Sequence, residues 1–168
     1  MTALHTSSTT LNAALTATRT RRSKLADTKI IQIKYFPDSP HLESIDKGDW
    51  IDLYTNEEKV LLPGDYALIP LGVAMKLPDG YEAHIAPRSS TFKRWGILQT
   101  NSVAVIDQSF AGDTDQWMYP VYATHAVTIP KGTRLCQFRI VKNQPPIIFQ
   151  EVASLSNENR GGFGSTGA

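Results

Sequence analysis

An arginine followed by three hydroxyl side chains stands at residues 88–91 (RSST), where a stretch over 89–95 reads as a short helix. Ser89 or Ser90 can cap that helix, Lys93 and Arg94 suit its C-terminal end, and Gly96 can stop it. Free backbone N–H groups, the helix dipole and the Arg88 guanidinium would then converge on one anion. The same residues also make an ordinary capped helix with a surface arginine. A second stretch, 160–167 (RGGFGSTG), holds four glycines in eight positions. Such a tail builds no packed element, but it lets backbone N–H groups approach a ligand closely. Within it Phe163 can stack on a flat ring, Ser165 and Thr166 add hydroxyl donors, and Arg160 adds charge. The stretch lacks the Gly-Lys-Thr ending and following helix of a Walker loop. A free chain end of the same composition is the alternative.

Asp107 follows the apolar run 103–106, at a strand end. An acid there can serve as a general base, or it can simply start a turn. Gln137 sits inside the apolar stretch 131–140 (KGTRLCQFRI) and needs hydrogen-bond partners unless it faces water. His5, His41, His84 and His125 show no metal-ligand spacing, and the one cysteine, Cys136, lies far from them in sequence. That argues against a transition-metal centre. No Gly-x-Ser-x-Gly elbow is present, so a serine hydrolase is unsupported.

The elements that must position these residues are short strands. Expected strands cover 28–36, 50–54, 66–77, 81–86, 103–106, 116–123, 126–129, 134–141 and 147–152, punctuated by turns at Pro63-Gly64-Asp65, Pro78-Asp79-Gly80 and Pro130-Lys131-Gly132. Many short strands and one short helix predict an all-β sandwich, jelly roll or barrel. A chain of 168 residues, 41% hydrophobic and 20% charged, fits one domain with one core. One thiol makes no intrachain disulfide and fits a reducing compartment. No apolar run reaches the length of a membrane span, which leads to a cytoplasmic expectation. A net charge of +1 excludes a strongly basic nucleic-acid coat. Residues 1–26 differ from the rest. They hold Arg19, Arg21, Arg22 and Lys24, ten Ser or Thr, no acid and no aromatic. This is expected to be a disordered basic arm, with an organellar transit peptide or a phosphate-contacting arm as alternatives. The expected division is an arm over 1–26, a β domain over 27–155 and a mobile tail over 156–168.

Taken in order, these segments resemble the trimeric dUTPase family over about residues 28–167. Its five motifs correspond to 49–54 (DWIDLY), 87–90 (PRSS), 101–112, 132–137 (GTRLCQ) and 160–167. The resemblance implies a jelly-roll subunit and a homotrimer with active sites at its interfaces. Each site would be closed by the flexible tail, and would cleave dUTP to dUMP and pyrophosphate with Mg²⁺. The metal would be held mainly by substrate phosphates and water. Asp107 lands on the residue that activates the water attacking the α-phosphorus. Asn101 and the backbone of Val105 and Ile106 fall on the uracil-reading hairpin, and Phe110 on the ring beneath the deoxyribose. Arg88, Ser89, Ser90 and Gln137 match phosphate-contacting positions. Phe163 matches the ring that stacks on uracil, Gly164, Ser165 and Thr166 match groups of the closing tail, and Asp52 is a supporting acid. The sequence departs from the family pattern at Ala104 (usually Gly), at Ser90 (Arg-Ser-Gly is usual), at Trp50 in the first motif, and at Arg160, three rather than five residues before Phe163.

The dCTP deaminases share this fold, but their glutamate would fall near Gln116-Trp117-Met118 and their arginine at Val105, and neither is present. A phage-type dUTPase that acts mainly by binding a repressor is the rival from another class. Nucleic-acid binding is not expected beyond what the basic arm could contribute.

Overall fold

The computed structural model describes residues 28–43 and 48–159. Among these are eleven strands: β1 (Gln32–Tyr35), β2 (Ile51–Tyr54), β3 (Lys59–Leu61), β4 (Tyr66–Pro70), β5 (Val73–Lys76), β6 (Tyr81–Pro87), β7 (Ile97–Gln99), β8 (Ala104–Ile106), β9 (Met118–Ala123), β10 (Val127–Ile129) and β11 (Arg134–Lys142). One helix, α1 (Thr91–Trp95), links β6 to β7. All seven pairings among them are antiparallel and form four sheets, β2-β11-β6-β8, β4-β9-β7, β1-β5 and β3-β10. The sheets wrap one core without closing into a barrel, a β-rich, jelly-roll-like arrangement. No helix among the described residues is long and apolar enough to cross a membrane.

The period-two alternation of the strands puts one face of each sheet inward. Leu53, Ile69, Val73, Ile85, Ile97, Tyr119, Val121, Leu135 and Phe138 meet there with Trp117, whose ring stands edge-on to Phe138 at 5.3 Å. Each such side chain contributes about 1.5–3 kcal/mol by leaving water.

Several strands differ from the sequence expectation. The run 66–77 is two strands, because the chain turns at Gly72 with φ +69° and a Cβ there would overlap Ser39. β3 and β7 span three residues each and go undetected by alternation. Residues 147–152 form no strand: no segment among the described residues pairs with them, and Ile148 and Phe149 are 93% and 94% exposed. The helix starts at Thr91, two residues later than expected.

Within β11 the register shifts between Arg134 and Cys136. Leu135 and Cys136 therefore both point into the core, and Arg134 and Gln137 both emerge on the outer face. Gln137 pairs with Asp52 on one side and Ala86 on the other, which puts the acid and the amide on one outer row.

Candidate active site

The end of β6 and the bulge of β11 build a charged cluster. Arg88 Nε lies 2.8 Å from Asp52 Oδ1, and Arg134 Nη1 lies 3.5 Å from Asp52 Oδ2. Arg88 Nη1 also donates to Arg134 O at 3.4 Å, and Gln137 Nε2 donates to Pro87 O at 3.1 Å. Two guanidiniums thus share one carboxylate on a partly exposed surface, where ion pairs contribute little stability but hold side chains in place. The net positive balance suits an incoming polyanion.

The turn that presents Arg88 is held by Thr91. Its buried hydroxyl accepts from Arg88 N–H at 3.1 Å and donates to Leu135 O at 2.7 Å. The expected caps do not form: Ser90 occupies the N-cap position with αR backbone angles and makes no side-chain cap bond. The tertiary partner at Leu135 makes Thr91 the anchor instead. At the other end Gly96 stops the helix as expected, with φ +59° and its N–H bonded to Phe92 O. A Cβ at Gly96 would overlap the His125 ring.

The second group lies on the loop between β7 and β8. These strands pair with β9 and β6 in different sheets, so the expected hairpin does not form as a paired ladder. Asn101 is exposed at the loop's tip, and Val105 points outward beside His84. Ala104 points the other way, buried against the core and paired with Ile85, so its methyl stays off the outer face. Asp107 follows directly. Its Oδ1 accepts from both the N–H and the hydroxyl of Ser109, at 2.7 and 2.5 Å. These bonds, the hydroxyl's first, hold the carboxyl below the usual aspartate value. Oδ2 has no partner among the described residues and faces solvent. Phe110 stands three residues on, partly exposed, with its N–H bonded to Asp107 O.

Strand register separates the two groups. Ile106 pairs with Ala83 near the start of β6, and Arg88 follows the end of β6. At about 3.3 Å per residue, the backbones of Asp107 and Arg88 stand about 20 Å apart along the sheet. A base and a guanidinium acting on one phosphate group cannot work across that span. One copy of the chain therefore does not bring Asp107 together with Asp52, Arg88, Ser89, Ser90 and Gln137.

Arg160, Phe163, Gly164, Ser165 and Thr166, like residues 1–26, lie outside the described residues. Arg134, Thr91, Ser109 and Gln99 belong to the site's framework; of these only Thr91 stands among the candidates in the sequence, as one of the hydroxyls after Arg88 rather than as the anchor of the turn. Arg134 stood inside a recognised motif, whereas the partners of the other three depend on register or local turns. Among the described residues no three His, Cys, Asp or Glu side chains gather as a metal site.

The model of the dUTPase family matches residues 50–167. The chain is 50% identical over 138 residues to the SPbeta prophage-derived deoxyuridine 5'-triphosphate nucleotidohydrolase YosS of Bacillus subtilis, covering 82% of this chain and 97% of that one. Its fold is similar to a dUTPase of Staphylococcus bacteriophage 80alpha solved with dUpNHpp (TM-score 0.70, 22% identity, 84% of this chain and 100% of that one). A dUTPase from phage phi11 of S. aureus, solved for the coordination of a structural Mg(II) ion, is similar at TM-score 0.65 and 17% identity, over 76% of this chain and 99% of that one. The matched span runs from the β2 acid through the arginine after β6 and the loop leading into β8 to the Gly-rich end, and by it the chain belongs to the dUTPase family.

Proposed function

We propose that the chain hydrolyses dUTP to dUMP and pyrophosphate at sites assembled between copies of itself. Family membership supports the reaction. The separation of about 20 Å between Asp107 and Arg88 along the sheet supports the shared site. In this reading Asp107 Oδ2 takes a proton from water while that water's oxygen bonds to the α-phosphorus. The bond from the α-phosphorus to the bridging oxygen breaks, and pyrophosphate leaves. Arg88, Ser89, Ser90 and Gln137 of a neighbouring copy bind the phosphates. Asp52 and Arg134 keep the Arg88 guanidinium oriented before the nucleotide arrives. Phe110 lies beneath the deoxyribose and leaves no room for a 2′-hydroxyl. Asn101 and the backbone of Val105 and Ile106 read the uracil edge.

Mg²⁺ fits this donor set mainly through the substrate's own phosphates and water, which leaves Asp107 Oδ2 for the attacking water. Both Asp52 oxygens already face guanidiniums. When bound, the ion offsets the triphosphate's negative charge.

Residues 143–159 support the assembly. They carry Ile147, Ile148, Phe149, Val152 and Leu155, all largely exposed, along a segment with no strand of its own. In the proposed homotrimer this arm packs on a neighbouring copy and carries the tail with Arg160, Phe163, Gly164, Ser165 and Thr166 over a bound nucleotide. A second role beside catalysis, binding of a bacterial repressor, is kept as the alternative because the YosS relative is prophage-derived. If so, Asp107→Asn abolishes turnover and leaves partner binding intact.

Pyrophosphate release from dUTP, dCTP, dTTP and UTP, with Mg²⁺ and with chelator, tests the reading. Turnover of dUTP alone, lost with chelator, is expected. Absence of dUTP turnover overturns it.

A further inference from the structure

Gln99 ends β7, two residues before Asn101. Its Nε2 lies 3.1 Å from Ile85 O, 3.1 Å from Asn101 Oδ1 and 3.3 Å from Ser102 O, so its two hydrogens serve three acceptors, with one hydrogen shared. Two of these acceptors are backbone carbonyls, which cannot donate, so the amine end of Gln99 must be the one that faces them. Its Oε1 is buried and has no partner among the described residues, so all its bonding runs through the amine.

The orientation passes to Asn101. Meeting a donor, Asn101 turns Oδ1 toward Gln99 and is left with Nδ2 as its outward group. An exposed asparagine with a free amide could present either a donor or an acceptor. This one is set as a donor. Gln99 also ties β7 to the neighbouring sheet, because Ile85 belongs to β6 and pairs with Ala104 of β8.

We propose that Gln99 is a specificity-determining positioning residue. By fixing the Asn101 amide with its amine outward, it makes the loop a donor toward position 4 of a pyrimidine. Uracil carries a carbonyl acceptor there, and cytosine carries an amine that would meet Asn101 donor to donor. The inference rests on the reading of Asn101 as a base-contacting residue of a dUTP-hydrolysing site.

The test is steady-state hydrolysis of dUTP and dCTP by the full chain and by Gln99→Leu and Gln99→Glu, with the melting temperature of each. Gln99→Leu removes the donor at similar size. It should raise KM for dUTP about tenfold, keep kcat within about threefold, and lower the preference for dUTP over dCTP about tenfold. Gln99→Glu offers only acceptors, turns the Asn101 amide round, and should lower the preference further. If Gln99→Leu melts too low to assay, the near-isosteric Gln99→Glu carries the comparison. A preference within about threefold of the unmodified chain's overturns the inference, as does a loss confined to kcat and melting temperature. Failure of the unmodified chain to prefer dUTP is a different result: it removes the reading on which the inference rests.

Discussion

At the scale of the residue, Asp107 is a carboxylate prepared in advance. Two donors from Ser109 occupy Oδ1 and favour the charged form, leaving Oδ2 to meet water. Replacing the carboxylate by an amide in Asp107→Asn should cut turnover by about 10²–10⁴ and leave nucleotide affinity nearly unchanged, as read by single-turnover kinetics and calorimetric titration. The hydroxyl of Ser109 is the larger cause of the lowered pKa. A base with a lowered pKa stays charged to lower pH. In Ser109→Ala the pKa therefore rises toward the ordinary aspartate value, and the acid limb of the kcat/KM profile should move to higher pH. An unmoved limb would mean that another group sets it. These residues differ in how legible they are in the sequence. Asp107, Arg88 and Gln137 stand in recognisable motifs. The clamp on Asp107 is a local turn, which the sequence allows at any Asp-x-Ser. The contacts of Gln99 with Asn101 and Ser102 are local, but its contact with Ile85 crosses to β6 and needs the fold before it can be seen.

At the scale of the element, strands buried on one face were readable because their side chains alternate: β2, β6, β8, β9 and β11 fall within or close to the expected runs. Alternation could not show the bulge of β11, because Leu135 and Cys136 break the period that defines the signal. Yet that bulge is what brings Arg134 and Gln137 out beside Asp52. β3 and β7, three residues each, show no period of their own, and 147–152 has a strand's composition without a described strand to pair with. The same element also ties the site to the core. Phe138, one residue past Gln137, is 1% exposed and packs against Trp117. Phe138→Ala should therefore cost about 3–5 kcal/mol in denaturant unfolding, with the outer-face cluster loosened as a consequence. A cost below about 1 kcal/mol would mean that this end of β11 is not part of the cooperative core.

At the scale of the whole molecule, one chain leaves the site divided and an apolar arm uncovered. Both point to assembly; in the sequence the shared site was carried only by the family resemblance, and its physical reason, the span between Asp107 and Arg88, needs the pairing of β6 with β8. Removing residues 159–168 should abolish most dUTP turnover while changing the melting temperature by no more than about 2 °C, because a closing tail adds little to the core. A matched loss of thermal stability would argue that the tail is structural. The central claim, that Asp107 and Arg88 act from different copies, is tested most directly by mixing. Asp107→Asn and Arg88→Ala chains, each inactive by itself, are unfolded together, refolded and assayed for pyrophosphate release from dUTP. Shared sites place an intact Asp107 opposite an intact Arg88 in about a quarter of positions, so activity should return to about a quarter of the unmodified level. A mixture as inactive as its two components would contradict the account.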